Sequence, residues 1–343
     1  MSLEIDFVIP WVDGSDPKWL AEKSKYQEKE VTTNTTDDSN TDCRYRPDTE
    51  LLRFWFRSVE KYAPWVNKIH FVTCGQKPDW LDESHPKLNL VNHKDYIPSD
   101  YLPTFNANTI EMNVHRIKGV SEHYVFFNDD VFLLQPMEES FFFKEENPVL
   151  LADLRYISGV GYNNWSRLVF NDYCLVNKSF NMCHSIWTNK SKWFNVKELG
   201  LKRATQNFIC YIANKTLPVG LYGHVALPHL KSTLQEIWDK YPDIMDQAMM
   251  HKFRADDQVN QWLICAWNQA KGKFHPIHES KIGKNFSISS YNVEKVCEAI
   301  KSRQYPMVCI NDTKNNTKPE QCVSKIIMAF ETILPVRSSF EKE

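Results

Sequence analysis

The chain has 343 residues, enough for two ordinary domains or one large α/β domain with insertions, so core size is no constraint. Lys plus Arg number 41 against 43 Asp plus Glu, a net charge of -2, which leaves no broad basic field for a phosphate backbone and excludes nucleic acid as a partner class. Nine cysteines without a CxxC pair fit neither a disulfide framework nor a zinc ribbon, and read as reduced, mostly buried thiols of a cytoplasmic protein. Residues 1–10 lack a signal-peptide layout, and the longest uncharged runs, 216–230 and 258–270, are too short to span hydrocarbon. The protein therefore reads as soluble or peripheral. Aromatic residues make up 13%, with 11 Trp, a composition that suits sugar-stacking clefts, although any single Trp is first a core residue.

In chain order, Ile5 to Pro10 is a short apolar run stopped by the polar turn Asp13 to Asp16, as expected of a buried strand. Residues 31–43 hold almost no apolar side chain and read as a mobile surface loop, either a closing element or a plain insertion. From Thr49 to Tyr62 the residues Leu51, Leu52, Trp55, Val59 and Tyr62 recur at helical spacing, with Asp48 or Thr49 as cap and Pro64 beyond the end. Strands follow at Ile69–Thr73 and 89–93, a helix at 106–118 with Ile110, Val114 and Ile117 inward, and a strand at Tyr124–Asn128. Strand and helix alternate, which predicts an α/β, Rossmann-like and mostly parallel sheet flanked by helices. Residues 151–220 have a weaker pattern and read as a helical lid or acceptor-side subdomain between parts spanning 1–150 and 221–343. Thr233 and Glu236 form a capping box for a helix carrying Leu234, Ile237, Trp238 and Tyr241, and another helix is expected over 257–270.

The strongest chemical signal is Asn128-Asp129-Asp130 directly after the strand HYVFF, because ligands of open α/β sheets collect at the carboxyl ends of strands. Adjacent carboxylates there suit a divalent cation, Mg2+ or Mn2+, bridging a diphosphate; a solvated turn is the alternative. Asp6 lies inside an apolar strand and needs a partner or a task, since an unpaired buried carboxylate is costly. Glu111 and His115, one turn apart, read by default as a helix-surface pair. His224, in a loop bounded by Gly223 and Pro228, is a candidate proton acceptor or a structural histidine. Arg254 is suited to forking onto phosphate, or to pairing with Asp256 or Asp257.

Taken together, these segments resemble the Stealth family of sugar-phosphate transferases. The resemblance runs through IDFVIPWVDGSDPKW (5–19), then residues 44–81, 102–111 and 115–134, then GHVALPHLKST (223–233) with HKFRADDQVNQWL (251–263), and last CINDT (309–313). It implies a fold like that of GT-A transferases. The implied reaction is attack of an acceptor hydroxyl on the phosphorus next to the sugar of a nucleotide-sugar, releasing a nucleoside monophosphate. By position, Asp6, Glu111 and Asp130 match the family's essential acids, Asp129 and Asp130 its metal site, His224 its general base and Arg254 its phosphate-binding arginine. Trp11, Arg44, Arg46, Arg53, Asn106, Lys231, Asn311 and Asp312 fall at positions implied to bind substrate. Ala226 and Pro47 depart from the family pattern, and Pro47 leaves open whether Arg44 or Arg46 is the matching arginine.

The implied partners are a UDP-linked or other nucleotide-sugar donor and a polysaccharide or lipid-linked oligosaccharide acceptor, with peripheral association at the inner face of the membrane. Two rival readings stay open at this level: a metal-dependent glycosyltransferase that releases nucleoside diphosphate, and a non-catalytic carbohydrate-binding protein.

Overall fold

The computed structural model of the chain describes residues 3–30, 50–155, 164–213, 219–220, 224–311 and 319–342. Strand β1 (Ile5–Pro10) is enclosed as far as Ile9, the pattern of a central strand covered on both faces. It is followed by α1 (Pro17–Glu30), α2 (Leu51–Tyr62), β2 (Ile69–Thr73), β3 (Leu88–Asn92), α3 (Ala107–Glu111), β4 (His123–Phe126), β5 (Val131–Leu133), α4 (Glu139–Phe142), β6 (Phe143–Lys144), β7 (Asn147–Leu151) and β8 (Leu154–Arg155). A helical stretch comes next: α5 (Asn164–Ser179), α6 (Met182–Thr188), α7 (Lys190–Trp193) and α8 (Val196–Ala213). The remaining elements are β9 (Val219–Gly220), β10 (Leu227–Leu230), α9 (Lys231–Lys240), α10 (Pro242–Met249), α11 (Trp262–Ala270), β11 (His275–Ile277), β12 (Lys284–Ser287), α12 (Val293–Lys301), β13 (Met307–Asn311) and α13 (Pro319–Ile333).

The main sheet has the order β10-β4-β1-β2-β3. Strands β4, β1, β2 and β3 are parallel, with Asp6 beside Tyr124 and Phe7 beside Ile69, whereas β10 runs antiparallel to β4. The expected α/β architecture with a mostly parallel sheet and flanking helices is therefore present. A second sheet, β12-β13-β5, matters for the site, because β13 lies antiparallel to β5 with Cys309 opposite Val131. Helix α2 connects β1 to β2 and buries Leu51, Leu52, Trp55, Val59 and Tyr62, the stripe its spacing predicts. The large aromatics go mainly into the core: Trp55, Trp193 and Trp267 are fully enclosed, so the Trp content is first of all packing.

Three expected helices differ in a way that has a physical cause. The helix expected over 106–118 is only five residues long, followed by a short 3-10 turn at Val114–Arg116, and the Asn113 side chain binds the Thr109 carbonyl at 2.8 Å. A short amide side chain taking a helical carbonyl competes with continuation of the helix. The helix expected from 257 starts only at Trp262, because the amides of Asn260 and Gln261 are given to carboxylates from other elements. Helix α9 begins at Lys231, so Thr233 is not its cap; Thr233 lies inside and donates to Asn268 at 2.8 Å, and Glu236 pairs with Lys271. The loop at 31–43 and the caps Asp48 and Thr49 lie outside the described residues. No helix among the described residues is long and apolar enough to cross a membrane, and their eight cysteines are unbridged.

Candidate active site

Strand β4 ends at Phe126, and the chain turns through Asn128, Asp129 and Asp130 into β5. Two neighbours converge on that turn. The antiparallel pairing of β10 with β4 sets Leu227 opposite Phe126, so the residues just before β10 meet the carboxyl end of β4. His224 consequently lies with Nε2 3.4 Å from Asp130 Oδ2 and 3.2 Å from Asn128 Nδ2. From the other side, β13 closes on β5; the Ile310 amide donates to the Asp130 carbonyl at 2.8 Å and the Cys309 thiol to Asp130 Oδ2 at 3.3 Å. Asp130 is 7% exposed and His224 35%, so the carboxylate is held inside while the imidazole can still meet a ligand.

Asp130, His224 and Cys309 each offer a donor atom, and these atoms lie within 4.8 Å of one another. A carboxylate is a donor for hard and borderline divalent ions alike, whereas imidazole and thiol favour softer ones, so the set is compatible with a divalent cation without selecting which. The residues present thus fit a divalent cation centred on Asp130. Cys309 was not foreseen as part of the site: the count of cysteines treats it as an inert thiol, and only the pairing of β13 with β5 discloses its role. Asn128 was read only as the first residue of the acidic turn.

Glu111 reaches the same region from the end of α3. Its carboxylate is almost fully buried and accepts from the backbone amide and the side chain of Gln261, both at 3.0 Å. Burial pushes its pKa up to about 7, while the Gln261 amide, the Arg254 charge and His224 pull the other way. Arg254 is thus the nearby cation that Glu111 feels. The carboxylates suggested by the sequence as its alternatives are engaged elsewhere, Asp256 by Arg167 and Asp257 by His251 at 2.9 Å. The expected Glu111–His115 pair does not form, because α3 ends at Glu111; His115 instead packs beside Trp238, and burial drives its pKa down to about 3.

A further carboxyl group enters from the helical stretch. Asp172, in α5, is fully buried and accepts from the Asn260 amide at 3.2 Å, next to the amide that Glu111 takes. Its Oδ2 has no hydrogen-bond partner among the described residues, and burial followed by the charge of Glu111 raises its pKa well above the ordinary range. Nothing in the sequence marks Asp172, since an Asp on a helix reads as a solvated surface residue.

Several residues expected at the site lie elsewhere. Asp6 sits near the amino end of β1, at the opposite edge of the sheet, fully buried and bound by Asn67 at 2.8 Å, His70 at 3.0 Å and the amides of Lys68 and Ser121. Burial alone would raise its pKa, but the bonds from His70 and the Ser121 amide prevail and hold it below the usual value. It ties β1 to the segments that enter β2 and β4. Lys231 likewise follows the end of β10 beside the amino end of β4, with its amide on Glu122 and its ammonium 3.5 Å from the Val120 carbonyl. Arg53 stacks on Trp80 and lies 3.5 Å from Glu341 near the end of the chain, which Arg57 grips at 2.6 Å.

Asn106 is fully buried: it caps α3 through the Asn108 amide and donates to the carbonyls of His251 and Phe253. It thereby joins the helix of Glu111 to the loop of Arg254. Trp11 follows β1 at the carboxyl edge of the sheet but is 9% exposed and packed near Phe71. Asn311 ends β13 two residues from Cys309, hence on the same face of the strand. Arg44, Arg46 and Asp312 lie outside the described residues.

Comparison with known proteins adds what geometry alone does not. Residues 4–30 match the model of Stealth protein conserved region 1, and residues 44–150 that of conserved region 2. The chain is 38% identical to a capsular polysaccharide phosphotransferase, WcwK, of Streptococcus pneumoniae, over 98% of this chain and 99% of that protein. The chain belongs to the Stealth family. Other relatives are the receptor polysaccharide phosphotransferase WefC of Streptococcus oralis, 38% identical over 98% of this chain and 99% of that one, and the capsular polysaccharide phosphotransferase CpsJ of Streptococcus thermophilus, 44% identical over 60% of this chain and 84% of that one. This Stealth protein is accordingly a phosphotransferase enzyme, and the reading as a non-catalytic binding protein falls away. Among solved structures it aligns with an active-site mutant of LgtC at 10% identity and a TM-score of 0.36, over 94% of this chain and 95% of that one, a likeness too loose to bear on fold or chemistry.

Proposed function

We propose that this Stealth enzyme transfers hexose-1-phosphate or N-acetylhexosamine-1-phosphate from a nucleotide-sugar, UDP-linked, to a hydroxyl of a polysaccharide or lipid-linked acceptor. The step belongs to capsular or cell-surface polysaccharide synthesis on the cytoplasmic side. The acceptor oxygen bonds to the phosphorus that carries the sugar, the bridging bond to the second phosphorus breaks, and nucleoside monophosphate leaves. The bond from the anomeric carbon to oxygen stays intact, so its configuration is kept. Phosphoryl transfer depends mostly on positioning and on neutralising charge at non-bridging oxygens.

The observation that carries the reading is the convergence of Asp130, His224, Glu111 and Arg254 at the carboxyl end of β4, in a chain related over its whole length to phosphotransferases. His224 takes the proton of the acceptor hydroxyl, and the Asp130 carboxylate beside Nε2 favours the imidazolium that results. Arg254 meets the phosphate oxygens, and Glu111 fixes the position and charge balance of that arginine. Asp130, with Asp129 next to it, would hold Mg2+ or Mn2+, which when bound supplies further neutralisation of the diphosphate. Asn311 and Trp11 border the region where the donor lies. The test is the nucleotide released from a panel of nucleotide-sugars with Mg2+ or Mn2+: nucleoside monophosphate is expected, whereas nucleoside diphosphate would make the enzyme a glycosyltransferase.

A further inference from the structure

The helical stretch α5 to α8 contributes Asp172 to the interior, but its outer surface has a character found nowhere else on the described chain. Six of the twelve exposed large apolar side chains lie within residues 187–212: Trp187, Val196, Leu201, Phe208, Ile209 and Ile212. Scattered exposed apolar residues are ordinary; a contiguous apolar surface marks an interaction site. Four of these six form one line. Helix α8 is broken at Gly200, whose φ is 75°, and in the segment after the break Leu201, Phe208, Ile209 and Ile212 stand at i, i+7, i+8 and i+11, a single stripe of an α-helix. The opposite side of that segment carries the buried Ala204, Asn207 and Cys210, so the stripe points away from the core. Trp187 lies alongside through its stack on Tyr211, with ring centroids 5.9 Å apart, and Lys190 sits over the Trp187 ring.

The charges select the partner. From Met182 to Ala213 the exposed charged side chains are Lys190, Lys197 and Lys202, all positive. The single acid of the stretch, Glu198, is only partly exposed and faces Lys281 at 3.8 Å. An apolar helix stripe with an aromatic residue at one end and lysines on its flanks is the pattern of a helix lying in the interface of an anionic bilayer. Beside the stripe opens a cleft of about 750 Å³ whose wall includes Leu201, Ile209, Lys202, Arg203, Arg155 and Glu279. Arg155 and Arg203 are held there by Asp153 and Glu279, so their guanidinium groups stay fixed at its rim.

We propose that the outer face of α6 to α8 docks on the surface of an anionic lipid bilayer, with the apolar stripe of α8 inserted among the head groups and the lysines against lipid phosphates. The proposal does not depend on which group is transferred. A membrane-docked enzyme would nonetheless meet a lipid-linked acceptor by diffusion in two dimensions. The subdomain that the sequence assigned to lid or acceptor binding is then the part that chooses the surface on which the reaction takes place.

The test is flotation of the full chain with vesicles of phosphatidylcholine, with and without about one-third phosphatidylglycerol. Binding is expected to the anionic vesicles only and to weaken at high salt, since exposed charge attraction is screened. The double variant Phe208→Ser with Ile209→Ser should lower the bound fraction by at least about tenfold, and Lys197→Glu with Lys202→Glu should lower it to a comparable degree. Release of nucleotide from a soluble donor and acceptor, measured on the same samples, should be unchanged; this keeps failure of docking separate from failure of the transfer reading. The proposal is overturned by absence of binding to anionic vesicles, by variants that bind as well as the parent chain, or by a dimer in solution that the Phe208 and Ile209 changes convert to monomer. Circular dichroism of each variant establishes that a lost signal is not lost folding.

Discussion

Glu111 is a carboxyl group whose two states are close in energy at the pH of a cell. Burial raises its pKa from 4.5 to about 7, so folding favours its neutral form. Its contribution therefore runs opposite to that of a salt-bridged acid: stability is complete below about pH 4.5 and is lost as pH rises toward 7, in all on the order of 3 kcal/mol. Asp172 beside it acts in the same direction. The expected outcome is that, from about pH 5 to pH 7, the thermal midpoint of the parent chain shifts downward relative to that of Glu111→Gln, a difference that cancels the titration of the other groups. Activity should fall in the same variant, since the charge facing Arg254 is gone.

For His224 the expected effect lies in turnover and not in binding. His224→Ala should lower kcat by about 100-fold or more while donor affinity, measured by calorimetry, is retained. Near-normal turnover would remove the imidazole from proton transfer and leave it as a neighbour, or a ligand, of the cation at Asp130.

At the scale of elements, α3 and α11 show how the site was built at the expense of regular structure. Helix α11 starts late because two consecutive amides, those of Asn260 and Gln261, are spent on Asp172 and Glu111. Orphan amides at a helix start are suited to binding carboxylates, and here the anions come from the protein itself. Asn106 performs the corresponding service on the other side, joining α3 to the loop of Arg254 through two backbone carbonyls. Asn106→Ala removes a cap and both of those bonds, so a loss of about 1–2 kcal/mol in urea unfolding is expected. The donor KM should rise with it, because the Arg254 loop loses its anchor, whereas a purely structural asparagine would alter the urea midpoint alone.

At the scale of the whole molecule, what was legible in the sequence was whatever depends on local pattern. The strands of the parallel sheet, the stripe of α2 and the turn Asn128-Asp129-Asp130 could all be read from spacing and from the positions of polar residues. Contacts made across the chain were not. Cys309 reaches Asp130 only through the pairing of β13 with β5, and Asp172 reaches the Asn260 amide only because α5 packs against the start of α11. Position within a block was equally hidden: Asp6, Lys231 and Arg53 lie in motif blocks, and the direction of the strands places Asp6 and Lys231 at the edge of the sheet opposite Asp130, and Arg53 toward Glu341. A block of sequence shows which segments matter, and only strand direction shows which end of a segment faces the ligand.

The antiparallel strand β10 has a consequence for synthesis of the chain. Its partner β4 is complete at Phe126, but Leu227 follows about a hundred residues later, and at typical rates of elongation this leaves roughly 5–20 seconds in which the outer edge of β4 has no partner. Uncovered edges of apolar strands recruit other chains. The Tyr124, Val125 and Phe126 stretch, buried in the folded chain, is left with an uncovered edge over that interval, and a fragment truncated before Leu227 should collect in the insoluble fraction while the full chain stays in the supernatant. The strand that delivers His224 to the reaction is also the one that ends this vulnerable interval, before Arg254 and Cys309, which complete the site, have been synthesised.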